Sequence, residues 1–254
     1  MGLFVGLAAG CGGGSPTGPG ETTPPDFDFG PNNPRLVSAF GDSITFGSLG
    51  ERRRRISKLD TSSNYPSILQ NMLRGQDPAW RVINRGLSGE RTPDGRERLS
   101  GVLAADHPGF VLIMEGTNDA DRGDGPASIL ANLDTMVARA QANKTIPIIG
   151  TLPPNFRNDP GAQGIIAQAN TQIRSLAQSR RITLAEIFNG MNDRSLFGSP
   201  ERGIEDPLHP NERGYAVMAG IWFNAMRQAI PPPPSAPTPP VPPPSDGAQR
   251  QKTR

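Results

Sequence analysis

The sequence predicts an α/β fold in which a five-stranded parallel sheet carries helices on both faces. Five short apolar runs with little polar alternation read as strands buried on both sides. Five stretches of helical pattern alternate with them, and that alternation argues for a parallel sheet. The 28 prolines also crowd to the two ends of the 254 residues, six before Arg35 and ten after Ile230. What lies between, residues 35–230, has the length of one domain with a sizeable core.

Taken in order, the strands are expected at residues 35–40 (RLVSAF), 81–84 (RVIN), 110–114 (FVLIM), 146–150 (IPIIG) and 182–187 (ITLAEI). The helices are expected at 64–74, 93–104, 126–142, 164–180 and 210–229. Pro126 and Pro210 stand where a first helical residue would, a position that needs no N–H. Right-handed crossovers then bring every strand's C-terminal end to one edge, where ligands bind in such sheets.

Composition excludes several functions. The formal charge is only +2, with no basic stripe or interleaved aromatics, so no nucleic-acid partner is expected. One cysteine, Cys11, and two histidines, His107 and His209, cannot build a Cys/His zinc site or an intrachain disulfide. No stretch reaches the roughly 18 apolar residues of a spanning helix.

Residues 1–11 (MGLFVGLAAGC) form an apolar run that ends in small residues before Cys11, as a secretory signal does. Leu7-Ala8-Ala9-Gly10-Cys11 resembles a bacterial lipobox. That resemblance implies cleavage before Cys11, acylation of its sulfur and new amino terminus, and an extracytoplasmic lipoprotein at the cell surface or outer membrane, or a secreted one. Residues 12–34 read as a Gly/Pro linker too poor in aliphatic residues to order itself, and residues 231–254 as a Pro-rich solvated tail. The chain is expected to be a monomer.

The residues just after the strands are rich in chemistry: Gly41-Asp42-Ser43 after the first, Gly86-Leu87-Ser88-Gly89 after the second and Gly116-Thr117-Asn118-Asp119 after the third. Asp206-Pro207-Leu208-His209 precedes the last helix. A serine, a glycine, an asparagine and an Asp-x-x-His would converge on one edge as nucleophile, oxyanion pocket, and base with its orienting acid. His107 lies ahead of the third strand, at the opposite end of the sheet, and reads as a loop or capping residue.

These four blocks, in order and in register with the elements, resemble the SGNH family of GDSL-type esterases and lipases, whose blocks supply GDS, a Gly, GxND and DxxH. The resemblance covers nearly all of residues 35–230 and neither end. It implies a flavodoxin-like three-layer α/β/α sandwich and a carboxylic ester hydrolase that needs no metal or organic cofactor. It also implies Ser43 as nucleophile, His209 as base and Asp206 as its orienting acid. The oxyanion hole it implies consists of the backbone N–H groups of Ser43 and Gly89, which matches the family position better than Gly86, and the side chain of Asn118. Asp42 and Asp119 are read as holding loops. The substrate would be a small-molecule, lipid or glycan ester, reached beside a membrane through the N-terminal anchor. An O-acyltransferase of the same fold and a non-catalytic surface-binding module stay open as alternatives. The run Glu51-Arg52-Arg53-Arg54-Arg55 reads as a solvated charge run in preference to an anion clamp. Asp119, Asp121 and Asp124 hint at a calcium loop, but Leu130 stands where its closing Glu belongs.

Overall fold

The computed structural model describes residues 27–52, 55–58, 63–198 and 205–230. In chain order its elements are β1 (Asn33–Gly41), α1 (Ser43–Phe46), β2 (Ser48–Arg52), β3 (Arg55–Lys58), α2 (Tyr65–Arg74), β4 (Arg81–Gly86), α3 (Thr92–Asp106) and β5 (Pro108–Met114). There follow α4 (Thr117–Arg122), α5 (Pro126–Ala142), β6 (Ile146–Gly150), α6 (Pro160–Arg180), β7 (Thr183–Ala185), α7 (Ile187–Gly190), a 3-10 turn (Arg194–Leu196) and α8 (Glu212–Ala229).

Five strands form one all-parallel sheet in the order β4-β1-β5-β6-β7. The chain steps from β1 outward to β4, then returns past β1 to β5 and continues through β6 to β7. This is the flavodoxin-like order, and the reversal opens a crevice at the C-terminal ends of β1 and β5.

Strand alternation sorts the core into two layers. Phe110, Leu112 and Met114 of β5 face a cluster completed by Leu69 of α2 and Tyr215, Met218 and Trp222 of α8. Val111 and Ile113 face the other way, onto Leu99 of α3, Leu133 and Val137 of α5, and Ile173 of α6. Both faces of β5 are buried, which is why its sequence is apolar throughout.

Side-chain caps set the helix starts. Asn64 accepts from Ser67 N at 3.0 Å to open α2, Asp159 from Ala162 N at 3.0 Å to open α6, and Asn211 from Gly214 N at 2.9 Å to open α8. The Asp159 cap and Pro160 start α6 four residues before the apolar periodicity does. At the far end of the sheet, His107 closes α3 in a left-handed conformation (φ 48°) and its carbonyl accepts from Asn33 N at 2.8 Å.

Some elements escape the pattern. The antiparallel hairpin β2–β3 pairs Glu51 with Ile56 and Arg52 with Arg55 in backbone register, in a charge-rich stretch without an alternating apolar face. Arg53 and Arg54 lie outside the described residues, as does Cys11. The helices α1, α4 and α7 span 4, 6 and 4 residues, too few to show a period. Strand β7 stops at Ala185, before the expected Ile187, because Ile187 already begins α7.

Close approach at Gly86 decides how α1 seats on the sheet. A Cβ there would overlap the backbone N of Phe46 and stand 2.6 Å from its Cα. Gly86→Ala is expected to destabilise the protein by about 2 kcal/mol, since backbone cannot swing aside. Gly101 in α3 has nothing within 4 Å, so Gly101→Ala is expected to add about 0.5–1 kcal/mol. Urea melts of the two variants read the opposite signs.

Candidate active site

The site begins with the turn that ends β1. A Cβ on Gly41 would overlap Thr45 Oγ1 and the carbonyl of Met114, so only glycine lets the chain turn there. Asp42 then caps α1, its Oδ1 accepting from Ile44 N at 2.9 Å. Ser43 is the first residue of that helix, and its N–H belongs to the first turn, where N–H groups have no partner within the helix. The Asn84 carboxamide donates to Thr45 O at 2.9 Å and holds the far end of α1 on β4. Thr45 Oγ1 and Tyr65 Oη lie 3.1 Å apart in the core beneath.

His209 reaches Ser43 from the other end of the chain. Ser43 Oγ and His209 Nε2 are 2.9 Å apart, and His209 Nδ1 stands 2.7 Å from Asp206 Oδ2. Asp206 uses its second oxygen as well: Oδ1 accepts from Leu208 N at 2.8 Å and from His209 N at 3.0 Å. An ionised carboxylate can only accept, so Nδ1 carries the imidazole proton and Nε2 is left as the acceptor for the Ser43 hydroxyl. Burial works to raise the Asp206 pKa, but the hydrogen bond and charge of His209 and the two backbone donors outweigh it, holding it at about 2. Asp206 therefore stays ionised wherever His209 needs a partner. It also opposes the positive end of α8, which starts three residues past His209 and disfavours an imidazolium.

Backbone bonds clamp the His209 loop from both sides. Phe156 N donates to Pro207 O at 3.0 Å from the loop after β6, and Gly198 N donates to His209 O at 3.0 Å. Asn211 N donates to Leu196 O at 2.8 Å.

The remaining two blocks sit at the same edge. Gly89 is exposed in a left-handed conformation (φ 80°) that other residues rarely adopt. Asn118, in the first turn of α4, donates one Nδ2 hydrogen to Glu90 O at 2.8 Å. Its second hydrogen is free to donate elsewhere. Asp119 turns inward and accepts from Thr92 N at 3.0 Å and Thr92 Oγ1 at 2.5 Å, tying α4 to the start of α3.

Ser43, Asp206 and His209 are thus brought into one hydrogen-bonded line, with Gly89 and Asn118 at the same edge. His107 is kept at the other edge. The three aspartates of the calcium-like run are dispersed among different partners: Asp119 on Thr92, Asp121 on Asn155 and Arg157, Asp124 on Arg91. Among the described residues no group of three or more His, Cys, Asp or Glu could hold a metal ion. No helix among them is long and apolar enough to cross a membrane.

Sequence reading missed Glu115. It closes the apolar run FVLIM directly before Gly116, and a carboxylate ending a doubly buried strand is itself a signal. Burial pushes its pKa well up, with the Glu90 carboxyl acting in the same direction. Burial likewise pushes Asp42 up to about 6.

Fold and site together define a class of α/β proteins with serine, imidazole and carboxylate aligned at the switch point of a parallel sheet. The chain belongs to the GDSL-like Lipase/Acylhydrolase family, whose model matches residues 39–217. The family is one of carboxylic ester hydrolases. It is 37% identical over 118 residues to Esterase TesA of Pseudomonas aeruginosa, an alignment that takes in 46% of this chain and about half, 54%, of that protein. It is 34% identical over 177 residues to an arylesterase of Vibrio mimicus, covering 67% of this chain and 77% of the relative. The inhibitor-bound aryl esterase of M. smegmatis shares the fold, with a TM-score of 0.65 over 77% of this chain and 99% of that one at 18% identity.

The lowered pKa of Asp206 has a definite sign. Its contribution to stability is complete above the ordinary aspartate value of 3.8 and is lost as pH falls through about 2. Asp206→Asn is therefore expected to be less stable than the parent in urea melts at pH 6, with the gap closing between pH 4 and pH 2.

Proposed function

We propose that the protein is a serine-dependent carboxylic ester hydrolase in which Ser43 attacks, His209 moves the proton and Asp206 holds the imidazole. The observation that carries this reading is the line from Asp206 through His209 to Ser43, with contacts of 2.7 and 2.9 Å at the switch edge. A serine hydroxyl is a weak nucleophile until a base takes its proton, and Nε2 is already the acceptor. As Oγ closes on an ester carbonyl, its proton passes to Nε2, and Asp206 balances the imidazolium that forms. The carbonyl oxygen becomes an oxyanion. The N–H groups of Ser43 and Gly89 and the free Nδ2 hydrogen of Asn118 are the donors assigned to it. The leaving alkoxide collects the proton from His209, and water repeats the sequence on the acyl-serine. Every step is carried by groups of the chain itself, and no metal or organic cofactor enters.

The test is hydrolysis of p-nitrophenyl esters from acetate to long acyl chains by the full chain and its variants. Ser43→Ala is expected to lower kcat/KM on the acetate by about 10⁴-fold or more. Asn118→Ala is expected to lower kcat by about 10²- to 10³-fold with KM little changed, because its bond forms with charge that exists only in the transition state. Undiminished turnover in Ser43→Ala would overturn the assignment. The fall of rate with chain length separates an acetylesterase from a lipase-like enzyme.

A second part of the proposal concerns the N-terminus. We infer that Cys11, behind Leu7-Ala8-Ala9-Gly10, is acylated and that the enzyme works outside the cytoplasm as an anchored lipoprotein. The chain enters the folded unit at the sheet edge opposite Ser43, where Phe29 packs on Phe110 with ring centroids 5.7 Å apart and Asn32 donates to Asn143 O at 2.6 Å. Radiolabelled palmitate fed to expressing bacteria is expected to label the parent chain and not Cys11→Ser.

A further inference from the structure

Behind Asn118 lies a buried cluster that the acyl-transfer steps do not use. Glu90 directly follows Gly89, and its side chain is 2% exposed. Arg98 of α3 grips that carboxylate with two nitrogens, Nε to Oε1 at 2.6 Å and Nη2 to Oε2. The guanidinium itself lies 4.0 Å over the ring of Phe40 in β1. A bidentate arginine stacked on an aromatic face is fixed in both position and plane. Glu115, at the end of β5, completes the cluster. Its carboxyl is fully buried and presses on Gly95 of α3, where a Cβ would overlap it.

Neither oxygen of Glu115 receives an N–H or O–H from the described residues, and the Arg98 nitrogen stands 3.9 Å away, beyond hydrogen-bond reach. Its carboxyl faces that of Glu90. Two carboxylates cannot satisfy each other, whereas a carboxylic acid can donate to a carboxylate. Burial and the Glu90 charge both hold the proton on Glu115. Glu90 is thereby bracketed by a cation and a neutral acid, and its own backbone carbonyl is what Asn118 Nδ2 meets at 2.8 Å.

We propose that Glu90, Arg98 and Glu115 are positioning residues for the oxyanion: the Glu115 carboxyl O–H donates a hydrogen bond to the Glu90 carboxylate while Arg98 grips it, so that the Glu90 carbonyl holds the Asn118 carboxamide at one fixed angle. The inference rests on Asn118 being an oxyanion donor, as set out above. An amide held by one hydrogen can point the other along a single direction, and rate is sensitive to that aim. The cluster links β1, α3 and the end of β5 in one contact, so the donor's direction is tied to the sheet and not to a loop alone. Gly95 is part of the device, because only a residue without a side chain leaves room for the Glu115 carboxyl.

The test is a double-mutant cycle on p-nitrophenyl acetate with the full chain. Glu115→Leu is expected to lower kcat about 10-fold with KM unchanged, and to cost nothing further in an Asn118→Ala background. Glu115→Gln, whose amide supplies the donor that the shared proton supplies, is expected to recover most of the loss. Arg98→Met, run through the same cycle, replaces Glu115→Leu should the latter not fold by circular dichroism. The inference is overturned by an equal loss in both backgrounds, by an unchanged kcat, or by Gln and Leu at position 115 behaving alike. If Asn118→Ala itself leaves kcat unaltered, the oxyanion role of Asn118 falls and this inference with it. If Asn118→Ala lowers kcat and Glu115→Leu adds to it independently, only this inference falls.

Discussion

How tightly the backbone can turn at the ends of β1 and β4 governs everything at the edge that carries Ser43 and His209. At Gly41 and Gly86 a side chain would collide with backbone, Met114 O in one case and Phe46 in the other. With both positions bare, the four-residue helix α1 lies directly on the sheet, and Ser43 stands at its first turn over the switch point. Sheet order does the rest. The reversal between β4 and β5 leaves open ground at the ends of β1 and β5, so the serine turn and the Asn118 turn border one crevice.

The second constraint is the handling of carboxylates at low dielectric. Five of them, Asp42, Glu90, Glu115, Asp119 and Asp206, lie buried at this edge, and each is satisfied differently. Asp206 is held charged by two backbone donors and an imidazole; Glu90 meets a bidentate arginine, and Asp119 accepts from the N–H and hydroxyl of Thr92. Asp42 has one backbone donor from Ile44, and its pKa is pushed up to about 6 because burial outweighs that single bond. Glu115 has no donor among the described residues, and burial beside Glu90 pushes its pKa well up. The pattern follows the cost of an unpaired buried charge, which is met by partners or by neutralisation. It leaves one fully supported negative charge beside His209, which is what the proposed role of that imidazole in accepting and releasing a proton requires.

Much of this is legible in the sequence. The five strands and five long helices follow from apolar runs and their spacing, and Pro126 opens α5 as expected, whereas Pro210 stands ahead of the Asn211 cap and outside α8. What the pattern missed is short or partnered at long range. Helices α1 and α4 are shorter than two turns, so their sequences carry no period. The hairpin β2–β3 has no alternating apolar face to announce it. The early start of α6 was visible in Asp159-Pro160, a cap signal that the apolar periodicity overrode.

The sequence by itself determined the alternation of strand and helix, and hence a parallel sheet whose strand ends share an edge. It also determined which residue types stand at those ends, because turns, caps and apolar runs are local properties of a few neighbouring residues. Only the tertiary structure decided the partners: that His209 Nε2 arrives 2.9 Å from Ser43 across 166 positions, that Asn118 spends one hydrogen on Glu90, and that the Glu115 carboxyl is buried with no N–H or O–H donor to it among the described residues. Those distances depend on strand order and helix packing, which sum weak contacts over the whole chain. No local window of sequence contains them.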